Sequence, residues 1–281
     1  MLIQKDSSKC LTGPFPGFNR GGSFMFSVYH IIWLLICSVI VICSLYLIKR
    51  TDFSFSSVVN CCMLVSLLSE CVKVFSVVKM MPLSNGKGFV PYLELNHLPL
   101  HLCSIQILFI LFLRFSPDNS PLKRRLLGFM YPSCILGAAA ALLMPSIYTT
   151  TIRPDQSFTH PMAYQFFIFH SMLIILGISI YREFRSSLTK QDYLNSIIII
   201  VSLAVLFIYL NSVFSVPLYE GGEVISIENY TNFFFTYNPP VPVRLTETWH
   251  WALYLVILTA VAISLLTILY IPVLRRSKKD R

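Results

Sequence analysis

The segment LNHLPLHLCSIQ, from Leu95 to Gln106, gathers the residue types that do chemistry: two histidines, a cysteine and an asparagine around a proline. Pro99 suits the first turn of a helix, where its missing N–H goes unneeded, and Asn96 can cap just ahead of it. Cys103 then falls one turn into the helix. There the positive end of the helix dipole favours a thiolate, and unpaired backbone N–H groups can hold an oxyanion. A cysteine nucleophile needs a base, and His101, two residues away, points to a different face of the helix. The base must come from another helix. His97 and His101 have the i, i+4 spacing of a metal-binding pair to which Glu70 can add an oxygen. Pro99 between them places His97 at or before the helix start, so neither a metal nor a cofactor is expected.

The elements that carry these residues are membrane spans. Of 281 residues, 55% are hydrophobic and only 12% charged, a balance too apolar for a soluble domain of this size. The expected fold is all-α and polytopic. Seven spans are drawn from the apolar stretches: Phe24 to Leu47, Ser57 to Val78, His97 to Phe115, Leu127 to Met144, Met162 to Tyr181, Asn195 to Val216 and His250 to Leu274. The fourth is the weakest, because Pro132 interrupts it, and its run Gly137 to Ala141 suits close helix packing better than lipid contact. Residues 1–23 form a flexible Gly-, Pro- and Ser-rich tail without a signal peptide, residues 24–274 the single membrane domain, and residues 275–281 a basic tail.

Charge sets the orientation. The net charge of +9 is spread over short groups between apolar segments, which reads as topology and argues against a nucleic-acid partner. Fourteen Lys and Arg residues, among them Lys49, Arg124, Arg182 and the final tail, lie on one side of the seven spans and seven on the other. The N-terminus is therefore expected outside and the C-terminus in the cytoplasm of a multi-pass cell-membrane protein whose partners are lipids. Seven of the eight cysteines fall inside spans, and apart from Cys103 they read as small apolar fillers.

With that orientation, Cys103 and His170 lie about 9 to 12 Å from the outer surface at 1.5 Å per helical residue. Glu70 and His30 fall near the same depth, and Lys73 and Asn211 slightly closer to the surface. Spans running in opposite directions thus deliver His, Cys, Glu and Lys to one layer, as a polar pocket opening outward requires. Glu70 and Lys73, three apart on one helix face, can equally be a packing ion pair. The loop from Pro217 to Thr248 carries the aromatic run NYTNFFFTY, including Asn229 and Tyr230. It is either a lid over the outer mouth or an ordinary interfacial loop.

LPLHLCSI at Leu98 to Ile105, the histidine in FFIFHSML at Phe166 to Leu173, and NYTNFFF at Asn229 to Phe235 resemble the YwaF-like bacterial membrane proteins. That family is similar in turn to the multi-spanning ether-phospholipid acyltransferases and, more distantly, to the androgen-induced membrane hydrolases of fatty-acid esters. The resemblance implies an intramembrane nucleophile at Cys103 and its histidine at His170. Three functions follow as expectations. The first is a cysteine-dependent lipid acyltransferase or acyl hydrolase. The second is a transporter or small-ligand receptor whose pocket of Glu70, Lys73, His30, His97, His101, Asn211, Asn229 and Tyr230 binds without chemistry. The third is a structural protein whose polar layer serves helix association.

Overall fold

The computed structural model describes residues 26–83, 88–220, 223–229, 231–239 and 245–279. The tail expected over residues 1–23 and the site residue Tyr230 lie outside them. The chain is mostly helical: α1 (Val28–Arg50), α2 (Phe55–Val77), α3 (Leu102–Phe115), α4 (Pro121–Leu143), the single turn α5 (Ile147–Thr150), α6 (Pro161–Phe184), α7 (Lys190–Val213) and α8 (Thr248–Lys279). Two antiparallel hairpins, β1 (Lys79–Pro82) with β2 (Phe89–Tyr92) and β3 (Ser215–Glu220) with β4 (Glu223–Asn229), occupy stretches read as loop or span end. Pro91 and Pro217 are tolerated there because every strand of a two-stranded hairpin is an edge.

Six helices among the described residues, α1, α2, α4, α6, α7 and α8, are long and apolar enough to cross a membrane, which makes this a multi-pass membrane protein. The third expected span, drawn from His97 to Phe115, is shorter in the structure. Its helix begins at Leu102, because Leu98 and His101 take extended backbone around Pro99, as a residue before proline prefers. The 14 residues of α3 rise about 21 Å, short of the roughly 30 Å of a hydrocarbon core.

α4 and α6 form the centre of the bundle. They approach closely at Gly177, where an added methyl group would stand 2.9 Å from the Tyr131 carbonyl and 2.7 Å from Ile135. α1 is mostly lipid-facing and buries only His30, Trp33 and Cys37, one stripe at helical spacing. Pro132 does not interrupt α4, which starts six residues earlier than drawn and runs through the proline. Lacking an N–H, Pro132 frees the carbonyl of Gly128, and the Tyr270 hydroxyl of α8 donates to that carbonyl at 2.8 Å. In return the Tyr131 hydroxyl donates to Leu269 O at 2.7 Å, one turn ahead of Pro272 in α8. The disturbance at Pro132 is thus met by a tyrosine from the other helix.

Candidate functional site

The start of α3 differs from that of its neighbours. Ser27, Ser54, Ser120, His160 and Thr189 cap α1, α2, α4, α6 and α7 through their side chains. His101, in the cap position of α3, makes no such bond. The amides of Leu102, Cys103 and Ser104 lack intrahelical acceptors, as at any helix start, and the first helical bond is from Ile105 N to His101 O. Cys103 thus sits half-buried beside free N–H groups at the positive end of the helix.

Two contacts fix the thiol's place, and a buried amide nearby fixes its helix. Gly137 of α4 lies so near that a methyl group there would be 3.2 Å from Cys103 Sγ, which gives the small-residue run of α4 its purpose. Cys103 also packs against the central apolar cluster. One turn on, the fully buried Gln106 donates through Nε2 to Ser133 Oγ at 3.1 Å, and its Oε1 accepts from Cys134 Sγ at 3.4 Å. Gln106 therefore locks α3 to α4. It was overlooked in the sequence, although a lone amide within an apolar helix is signal enough.

His170 is buried on α6, with its ring between those of Phe166 and Phe169. Its Nδ1 lies 2.6 Å from Phe166 O. A carbonyl only accepts, so Nδ1 carries the proton and Nε2 presents a lone pair. This is the tautomer a base requires. No hydrogen bond joins Nε2 to Cys103 among the described residues.

The remaining polar residues separate into sets. Glu70 and Lys73 form an ion pair at 2.7 Å on α2. Lys73 is an electrostatic neighbour of His97 and His101, and His101 of His170. His97 ends a 3-10 turn and His101 precedes α3, so they do not sit one turn apart on a single helix. No group of three metal-ligating side chains occurs among the described residues. His30 stands apart, with Nε2 donating to Leu142 O at 2.8 Å and Nδ1 accepting from Phe26 N at 3.1 Å. Nε2 fastens α1 to the end of α4, and Nδ1 is taken up by the backbone just ahead of α1.

Asn211 organises a third set. Its amide donates to Phe233 O at 3.0 Å and Thr236 Oγ1 at 2.9 Å, and it accepts from Thr231 Oγ1 at 2.9 Å and Phe233 N at 3.0 Å. All four bonds bring residues 231–236 onto α7. Phe234 and Phe235 are held in left-handed backbone, φ 57° and 54°, which costs a residue with a Cβ about 1–3 kcal/mol. The Trp251 indole donates to Thr236 O at 3.0 Å from the far side. Phe233 is fully buried against Phe207 and the His101 ring. Among the described residues of this loop, 231–236 pack on α7 and on the His101 ring and so form a cover beside the start of α3. Asn229 ends β4 beside it.

A family model described as the TMEM164 family matches residues 25–270. No curated protein and no solved structure matches the chain.

Proposed function

We propose that this chain, which belongs to the TMEM164 family, is a membrane-embedded acyltransferase or acyl hydrolase that carries the acyl group on Cys103. One observation carries the reading: Cys103 sits at a helix start whose cap residue makes no side-chain bond, while His170 of α6 has its Nδ1 engaged and its Nε2 left to act as a base. The resemblance of LPLHLCSI and FFIFHSML to the YwaF-like proteins, and through them to the multi-spanning acyltransferases, supports the same pair.

The chemistry balances with these residues alone. His170 Nε2 takes the proton of the Cys103 thiol, and the thiolate attacks the carbonyl carbon of a lipid ester. The new oxyanion is held by the free amides at the start of α3. Collapse breaks the ester C–O bond, the leaving alkoxide takes the proton back from His170, and a thioester remains. A second lipid hydroxyl or a water, deprotonated in turn by His170, resolves it. The excess of Lys and Arg at the opposite end of the bundle favours placing the hairpins and the 231–236 cover outside the cytoplasm.

The test is turnover of a phospholipid bearing a labelled acyl chain by the protein in lipid nanodiscs. Cys103→Ala should abolish acyl release, and His170→Gln should slow it by about 10²–10⁴-fold, the usual worth of a general base. Full turnover by Cys103→Ala would leave Lys73, His97 and His101 as a binding pocket without chemistry.

A further inference from the structure

We infer that the cleft between α2 and α6 is a binding site for one acyl chain of a membrane lipid, entered sideways from the bilayer. Its volume is about 510 Å³, with Leu68 and Val72 of α2 facing Ile168 and Phe169 of α6. Both helices are long, apolar membrane spans, and Leu68 and Ile168 are exposed, so the mouth of the cleft faces hydrocarbon.

The lining selects the occupant. None of its residues is charged, which leaves nothing to meet a phosphate, an ion or a charged peptide. Water is a poor filler, since a buried water needs two to four polar partners and the four polar side chains of the lining are already engaged: the Thr159 hydroxyl donates to Gln156 O, the Tyr164 hydroxyl to Phe158 O, and Gln165 and Ser69 form a pair. In that pair Gln165 Nε2 donates to Ser69 Oγ at 2.7 Å, and the two groups are already engaged with each other. At about 510 Å³ the cleft is on the scale of a single lipid chain. Phe169, at the inner wall, stands edge-on to the His170 ring at 5.5 Å between centroids, so the cleft adjoins the candidate site. The inference goes beyond the thioester chemistry and does not depend on it.

The test places the full-length protein in nanodiscs containing a phosphatidylcholine with a diazirine at mid-chain, and maps photolabelled residues by peptide mass. Labelling at Leu68, Val72 and Ile168 should exceed that at Leu35 and Val39, lipid-facing residues of α1, by about tenfold. Ile168→Trp and, separately, Leu68→Trp fill the cleft from its exposed rim and should bring labelling there down to the α1 level. Even labelling of all lipid-facing residues, enrichment that survives both tryptophans, or crosslinks between two copies of the chain through this cleft would each overturn the site. Cys103→Ala should label as the wild type does, so loss of turnover and loss of chain binding are read separately.

Discussion

The ring of Phe233 stands edge-on to the imidazole of His101 at 5.0 Å between centroids, so the cover formed after β4 and the residue that opens α3 pack as one unit. Asn211 holds that unit together, because all four of its side-chain hydrogen bonds go to the cover.

Asn211→Leu should therefore release the cover. It leaves the buried Phe233 N–H without its acceptor, at about 1–3 kcal/mol. The expected result is a lower Tm together with faster modification of Cys103 by a membrane-impermeant maleimide, read at the Cys103 peptide. Asn211→Asp keeps the acceptors and loses the donors, and should fall between the two. Unchanged modification in the leucine variant would mean that the cover does not shield the thiol.

The two glycines of the central helices should respond differently. Gly177→Ala meets the Tyr131 backbone carbonyl at 2.9 Å, which cannot swing aside, so α4 and α6 must part at a cost of about 1–3 kcal/mol. Gly137→Ala meets the Cys103 sulfur at 3.2 Å, and a shift of a few tenths of an ångström relieves it. Thermal unfolding should show the larger loss for Gly177→Ala, and a turnover assay the larger loss per degree of Tm for Gly137→Ala.

A double-mutant cycle tests the proline compensation. Tyr270→Phe removes the donor to the Gly128 carbonyl that Pro132 frees, and should cost about 1–3 kcal/mol. With Pro132→Ala already in place the helix bonds that carbonyl itself, and the same change should cost clearly less. Equal costs in both backgrounds would remove the coupling.

Much of this was legible in the sequence because lipid imposes simple rules. Apolar length marked the six long helices, and a polar residue at membrane depth marked Glu70, Lys73, His170 and Asn211 as paired or functional. Depth counting cannot say which way a side chain turns. His30 lay at the right level, yet it faces the end of α4 instead of the Cys103 layer. Pro132 read as a break because the Tyr270 hydroxyl that repairs it comes from 138 residues further along the chain. The hairpins were missed because β1 to β4 pair only with each other and bury no face, which leaves no alternating pattern.

Lys79 and Glu94 join the base of the first hairpin to the segment ahead of α3 at 2.7 Å. Lys79 holds the Glu94 carboxyl below its ordinary 4.5, and Glu94 holds the Lys79 ammonium above its ordinary 10.5. A lowered carboxyl stabilises the fold above 4.5 and loses that contribution as pH falls through the lower folded value. A raised ammonium stabilises below 10.5 and loses it as pH rises through the higher one. Hydrogen exchange of the β1–β2 amides should be slowed equally between pH 6 and 9 after correction for intrinsic rates. That protection should weaken in acid and in Glu94→Gln. High salt should weaken it too, since the pair is solvent-exposed.

The central claim is that Cys103 carries the acyl group, and the most direct measurement is the mass of the Cys103 peptide after acid quench of the protein turning over a defined phospholipid. The account predicts a peptide heavier by one acyl residue less a proton, released by neutral hydroxylamine as a thioester is, and absent in Cys103→Ala. It also predicts slower formation in His170→Gln. Turnover with an unmodified Cys103 peptide, or an acyl adduct that persists in Cys103→Ala, would contradict it.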